Sequence, residues 1–263
     1  MIKYPDIDPV IIKIGPLSMR WYGLMYIFGF VSSYLLTLYQ LKKKKSLKID
    51  KAAIDDLYFY LILGLILGAR LGYVLFYNLG FYISNPLEIF VVWHGGMSFH
   101  GGLIGTFVAG YFVIKKWRLN FFTVADLIVP TCPIGIFFGR LGNFINAELL
   151  GKPSDVPWAM VFSQGGNAAR HPSQLYEAFL EGFVLFVLLW IYKDKKKREG
   201  DVFAIFLVLY GIFRTFCEYF REPDQQVGYI LGMLTMGQIL SGAMILIGLF
   251  LKFFYLPKRT TKI

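Results

Sequence analysis

FFTVADLIVPTCPIGIFFGRLGNFINAELLG, residues 121–151, decides the fold class. The part from Phe121 to Ile145 is mostly apolar. A helix rising about 1.5 Å per residue needs about 20 such residues to cross a hydrocarbon core about 30 Å thick. The run then ends in GRLGNFINAELLG, residues 139–151, which sets a guanidinium, two amides and a carboxylate at or inside a membrane. An arginine at bilayer depth costs roughly 2.5 to 3.5 kcal/mol on insertion scales, so it faces a protein interior, a partner or a ligand. The stretch predicts a membrane protein and a site in the same residues.

Composition agrees with the membrane reading. With 56% apolar residues and a mean hydropathy of +0.55 over 263 residues, the chain is too hydrophobic for a soluble domain of its size. Its net charge of +10 is clumped between apolar stretches and not spread over one polar face, which argues against nucleic acid as a partner. Seven apolar stretches follow one another, at 17–39, 57–77, 98–114, 121–145, 175–192, 202–220 and 231–255. Lys42 to Lys45 follow the first, Lys115, Lys116 and Arg118 the third, Lys193 to Arg198 the fifth, and Lys258, Arg259 and Lys262 the seventh. The predicted inner segments, with Lys48, Lys51 and Lys252, hold 18 Lys and Arg against 6 outside. That bias predicts an all-α, polytopic protein of seven transmembrane helices, N-terminus outside and C-terminus cytoplasmic.

Residues 1–263 read as a single transmembrane domain. The first ten residues carry Asp6, Asp8 and two prolines and not a basic lead-in, so no cleavable signal peptide is expected. The one sizeable outer loop runs from Asn146 to Ser173, broken by Gly, Pro and Ser. Cys132 and Cys217 have no metal-like spacing and read as small buried hydrophobes. No metal or cofactor is expected. Gly64, Gly68 and Gly72, and again Gly135 and Gly139, recur every four residues, the spacing that lets helix backbones approach closely. Gly101 and Gly102 follow a histidine at an outer helix end, where bare backbone is expected to admit a ligand.

The intramembrane charges point to function. Tyr210, Arg214 and Glu218 are spaced i, i+4, i+8 and line one side of a helix, where Arg214 can pair with Glu218. A self-neutralising ion pair is the plainer reading. Arg70 and Arg140 count against it, since Glu218 alone cannot balance three guanidinium groups; the nearest other acids, Asp126, Glu148, Glu177 and Glu181, include several close to span ends. Surplus buried positive charge predicts an anionic ligand, and arginine binds phosphate in a planar, bidentate manner. In a bilayer that points to a phospholipid headgroup. Arg70 has a second reading, as a brace for the fold. Among the histidines, His100 is best placed to act as a base; His94 reads as an interfacial polar residue and His171 as a cap for the fifth span.

At this point the residues resemble a family, the prolipoprotein diacylglyceryl transferases of bacterial membranes. The resemblance runs through WYGLMY (21–26), GARLGYVLFYN (68–78), GGMSFHGGLIG (95–105), the 139–151 signature, RHPSQLYE (170–177), YGIFRTFCEYFREPD (210–224) and MGQILS (236–241). It implies transfer of the diacylglyceryl group from phosphatidylglycerol to the lipobox cysteine of a prolipoprotein, forming a thioether and releasing glycerol phosphate. The enzyme would need no nucleophile of its own. It also implies a site toward the outer face of the bacterial cytoplasmic membrane, within the lipid bilayer.

Carried over by residue, the resemblance makes Arg140 the headgroup-binding arginine, with Asn143, Asn146, Glu148 and Gly151 completing the signature. It makes Arg214 a second essential arginine, Tyr22 a functional tyrosine and His100 the proposed base; Tyr210 and Glu218 join the phosphatidylglycerol site beside Arg214. Whether His100 abstracts the thiol proton or positions substrate stays open, because the arginines could lower the thiol pKa without it. The outer loop departs from longer family members: only Lys152 to Ala169 separate the signature from RHPSQLYE. Two other classes remain in view. A transporter for an anionic ligand should place charges at several depths and show inverted repeats, which the sequence lacks. A phospholipid-binding scaffold would use the arginines without His100.

Overall fold

Apolar runs become helices here, begun by prolines, by strand ends or by side-chain caps such as Asp50 and Ser98. The computed structural model describes residues 2–15, 17–44, 47, 49–166, 168–223, 228–230 and 233–256. Lys45, Lys48, Lys258, Arg259, Lys262 and the side chain of His94 lie outside the described residues. Helix α1 spans Trp21–Lys43, α2 Lys51–Phe76, α3 Leu79–Ser84 and α4 Phe99–Lys116. Helix α5, Phe121–Ile128, passes through a 3-10 turn at Val129–Thr131 into α6, Cys132–Ile145. Pro130 and Pro133 fall at that interruption, where their missing N–H groups cost the helical ladder nothing further. Helix α7, Ser173–Glu177, runs through a π-helical turn, Ala178–Val184, into α8, Leu185–Tyr192. Helix α9 spans Asp201–Glu218, and α10, Met236–Phe250, continues as a π turn to Tyr255.

Five helical segments, 21–43, 51–76, 121–145, 173–192 and 236–255, are long and apolar enough to cross a membrane. The chain is thus a mostly helical, multi-pass membrane protein. The remaining two expected crossings form α4 and α9, each of 18 residues. They fall below that apolar standard because α4 contains His100, Lys115 and Lys116, and α9 contains Asp201, Arg214 and Glu218. Three span starts also differ from expectation, the second helix beginning at Lys51, six residues early, behind its Asp50 cap. The first helix begins at Trp21, since the residues before it pair as strands, and the last begins at Met236 for the same reason.

By their packing the residues fall into two units, Leu38–Val124 and the remainder. In the first, α2 packs on α4 along glycines. A Cβ on Gly72 would lie 2.8 Å from the Gly101 Cα, one on Gly68 would lie 2.8 Å from the Gly105 Cα, and one on Gly64 would lie 2.7 Å from the Ala109 Cβ. The four-residue spacing therefore does what it predicts in α2. Gly101 and Gly102 are corrected: they face α2, the first against Gly68 and Gly72 and the second against Leu65 and Ala69, so packing and not ligand access explains them. Gly139 shows no close neighbour, whereas Gly135 does approach Gly29.

Arg70, 4% exposed, spends its guanidinium on backbone. It donates to the carbonyls of Glu88, Ile89, Val91, Gly95 and Gly96, and lies over the Tyr82 ring at 5.1 Å. The bracing role is the one it plays.

The second unit holds α6 to α10. Leu185, Leu189 and Val202 are fully buried and pack with Val129 to form its core. The Asp126 carboxylate accepts from the backbone N–H groups of Gly200, Val202 and Phe203 at 2.8 to 3.0 Å. It thus caps α9 from a distance and meets the positive end of its dipole. The Asn146–Ser173 loop is more ordered than its turn residues suggest. Strand β1, Ile2–Lys3, pairs parallel with β4, Met160–Val161, which pairs antiparallel with β5, Ala169–Arg170. Beneath them Tyr4, Ala147 and Phe162 are buried together. Strands β2, Val10–Ile14, and β3, Leu17–Arg20, form a hairpin before α1, and β6, Tyr229–Ile230, and β7, Leu234–Thr235, form another before α10.

Replacing Arg70 with Leu strips a charged donor from five carbonyls. These bonds are only part-buried and the freed carbonyls can regain other partners, so the loss is a fraction of the about 1–3 kcal/mol that each fully buried orphan would cost, on the order of 3 kcal/mol in all. Hydrogen-exchange mass spectrometry should show faster exchange confined first to residues 85–98; unchanged exchange there would exclude the brace.

Candidate active site

The signature begins as helix and ends as a strained turn. In α6, Gly142 lets the Tyr22 ring lie against the backbone, since a Cβ there would be 2.9 Å from its Cδ2. Past Ile145 the chain turns through Ala147 and Leu149, at φ of 52° and 55°, a left-handed conformation that side chains seldom adopt. Glu148, between them, holds the turn closed. Its Oε1 accepts from Asn143 Nδ2 at 2.7 Å and Asn146 Nδ2 at 3.4 Å, and its carbonyl accepts from Gln174 Nε2 at 2.6 Å. Gly151 is required by close approach: it bridges to Arg221, and a Cβ would lie 2.8 Å from both the Phe220 carbonyl and the His171 Cβ.

Arg140, one helical turn before this, enters a buried charge network. Its Nε lies 2.8 Å from Glu177 Oε2 and an Nη lies 3.8 Å from Glu181 Oε2. Arg214 Nη1 lies 3.0 Å from Glu177 Oε1 and 3.5 Å from Glu181 Oε1, and its Nη2 bonds Glu218. Arg221 lies 3.7 Å from Glu177. Glu218 Oε2 accepts from Thr235 Oγ1 at 2.8 Å. Glu177 and Glu181, at 1% and 0% exposure, come from α7 and the π turn that follows it. A π turn of this kind marks functional positions often enough to be noted beside the charges it carries.

This corrects the expectation of surplus positive charge. Glu177 and Glu181 are not span-end groups reaching water; they are the buried counter-ions, and with Glu218 they formally balance Arg140, Arg214 and Arg221. The two central arginines nevertheless differ. Arg214 commits its guanidinium to three carboxylates. Glu177 Oε2 and Glu181 Oε2 accept no hydrogen bond among the described residues, so Arg140 is held by charge, with one long bond of 3.4 Å from Nη1 to Asn143. The Nη2 donors of Arg140 therefore make no hydrogen bond among the described residues, and its side chain is 17% exposed.

The structure thus joins Arg140, Asn143, Glu148, Tyr22, Arg214 and Glu218 within one unit. Tyr22 also bonds Tyr26 at 3.2 Å. Tyr210 stacks on Phe206 at 5.7 Å on the same helix as Arg214. His100 belongs to the other unit, exposed on the first turn of α4 with its ring edge-on to Phe99. Sequence reasoning passed over Glu177, Glu181 and Arg221 as site residues. The i, i+4 pair of glutamates inside an apolar run was the available signal. His171 does not cap α7. Its Nδ1 meets Tyr176 Oη at 3.1 Å, and that hydroxyl accepts from Trp158 Nε1 at 2.6 Å. Either atom can donate in the His171–Tyr176 bond, and burial pushes His171 below the usual histidine value.

Comparison with known proteins gives the same direction. Residues 9–254 match the family described as prolipoprotein diacylglyceryl transferase. A phosphatidylglycerol–prolipoprotein diacylglyceryl transferase from Bordetella parapertussis is 54% identical over 249 residues, 94% of this chain and 95% of its own. Proteins of the same name are 50% identical from Nitratidesulfovibrio vulgaris, over 95% of each chain, and 49% identical from Geobacter sulfurreducens, over 94% of this chain and 95% of its own. The buried arginines, the signature turn and this near full-length similarity agree, and the chain belongs to the prolipoprotein diacylglyceryl transferase family.

Proposed function

We propose that Arg140 holds the phosphate of phosphatidylglycerol while the chain transfers its diacylglyceryl group to the cysteine sulfhydryl of a prolipoprotein. The observation that carries this reading is the asymmetry of the network: Arg214 is fixed by Glu177, Glu181 and Glu218, and Arg140 retains donors. Displacement forms a carbon–sulfur bond at the glycerol carbon and breaks its bond to phosphate oxygen, so negative charge grows on the departing glycerol phosphate. Guanidinium donors in a water-poor site stabilise that charge most. The thiol proton leaves to a base, for which His100 is the candidate. Asn143, Asn146, Glu148 and Gly151 shape the turn beside the phosphate, Tyr22 lines it, and Tyr210 and Glu218 flank Arg214.

The same reading gives residues 1–263 as one transmembrane domain of seven spans, N-terminus outside, in the bacterial cytoplasmic membrane with the site toward the outer face. The basic residues after each odd-numbered span support that orientation. An outward-facing site meets outer-leaflet phospholipid and the lipobox of an exported precursor. The chemistry calls for no cofactor.

Two outcomes test the assignment. Arg140→Ala should still insert, because Arg214 continues to neutralise Glu177, yet lose about 100-fold or more in thioether formation from labelled phosphatidylglycerol and a lipobox peptide. Wild-type turnover in that variant excludes the phosphate role. For His100→Gln, the transfer rate should climb as pH rises toward the thiol pKa of about 8.5, because substrate thiolate then forms without a base. A rate deficit that is constant with pH would assign His100 to substrate positioning instead.

A further inference from the structure

The first turn of α10 meets the charge network at one residue. Thr235 is its N-cap, with a capping box formed by Gln238, and Gly237 is its second residue. The Glu218 carboxylate sits against this turn: Oε2 accepts from the Thr235 hydroxyl, and a Cβ on Gly237 would stand 2.5 Å from Oε1, 2.6 Å from Cδ and 3.1 Å from Cγ. Only a glycine lets the carboxylate lie there. The turn also supplies the positive end of the helix dipole to an anion that is 4% exposed. From Glu218 the contacts run on to Arg214, from Arg214 to Glu177, and from Glu177 to Arg140.

We infer that Thr235 and Gly237 are positioning residues for the transfer: α10 fixes Glu218, and through Arg214 and Glu177 it sets the angle at which Arg140 meets phosphate. This rests on the transferase reading above. Neither residue touches substrate. Ordinary carbon–oxygen contact needs well over 3 Å, so an alanine at 237 forces the carboxylate aside by several tenths of an ångström, and misplacements approaching 1 Å at a reacting group cost up to about 100-fold.

The substitution separates this role from a structural one, because glycine to alanine inside a helix ordinarily strengthens the helix. Gly242, further along α10, has open space where a Cβ would stand, with nothing within 4 Å, and serves as the control. In vesicles with labelled phosphatidylglycerol and a lipobox peptide, Gly237→Ala should lower kcat by at least about tenfold with Tm unchanged or raised, while Gly242→Ala keeps the wild-type kcat. Thr235→Val should also lose turnover and Thr235→Ser should restore it, which reads the role even if Gly237→Ala does not fold. Wild-type kcat in Gly237→Ala, or equal losses in the valine and serine variants, overturns the positioning role and leaves the transferase reading intact. An inactive wild-type protein overturns both.

Discussion

One carboxylate organises the buried half of this protein. Glu177 lies within 4 Å of three arginines, Arg140, Arg214 and Arg221, drawn from α6, α9 and the segment after it. Guanidinium groups in a low-dielectric interior are tolerable only when paired, and breaking such a pair costs about 3–5 kcal/mol because the orphaned charge remains. Sharing a counter-ion therefore ties the helices that carry those arginines into one arrangement. Glu181 adds a second shared contact from the π turn, and Glu218 carries the network to α10.

Formal charge balance bears on the proposed binding of an anion. With three carboxylates set against three guanidiniums, this network offers the proposed headgroup no net positive charge. On the proposed reading a headgroup is held by directed donors, and they belong to Arg140, whose Nε faces Glu177 at 2.8 Å while its Nη1 makes only one long bond, to Asn143. Lysine could not divide its function this way, since an ammonium lacks a planar fork that can face carboxylate on one edge and phosphate on another. The strained turn after α6 serves the same end. Ala147 and Leu149 at positive φ point Glu148 back at Asn143, the residue that touches Arg140.

Much of this was legible in the chain. The membrane character, the helical class and the glycine packing of α2 follow from apolar length and four-residue spacing. Arg140, Arg214 and Glu218 stood out because charge within an apolar run demands a reason. What escaped was partnership. Glu177 and Glu181 were visible as residues, but their exposure depends on how α7 and the π turn dock on α6, where Gly182 comes within 2.8 Å of the Phe137 Cα once a Cβ is drawn. Arg70 showed the opposite problem: its partners are five carbonyls in a loop, and no sequence pattern announces a carbonyl cage. Gly237 was illegible for the same reason, as its meaning lies in a carboxylate nineteen positions earlier.

The proposed transfer depends on a phosphate seated at Arg140, and a direct distance decides whether it is there. Protein with 13C-labelled arginine guanidinium carbons, reconstituted in phosphatidylglycerol bilayers, can be read by 13C–31P dipolar dephasing in solid-state NMR. Strong dephasing is expected, at hydrogen-bonded guanidinium–phosphate separation, and it should disappear in the Arg140→Lys protein. Dephasing that persists unchanged in that variant, or none in the wild type, would contradict phosphate seating at Arg140.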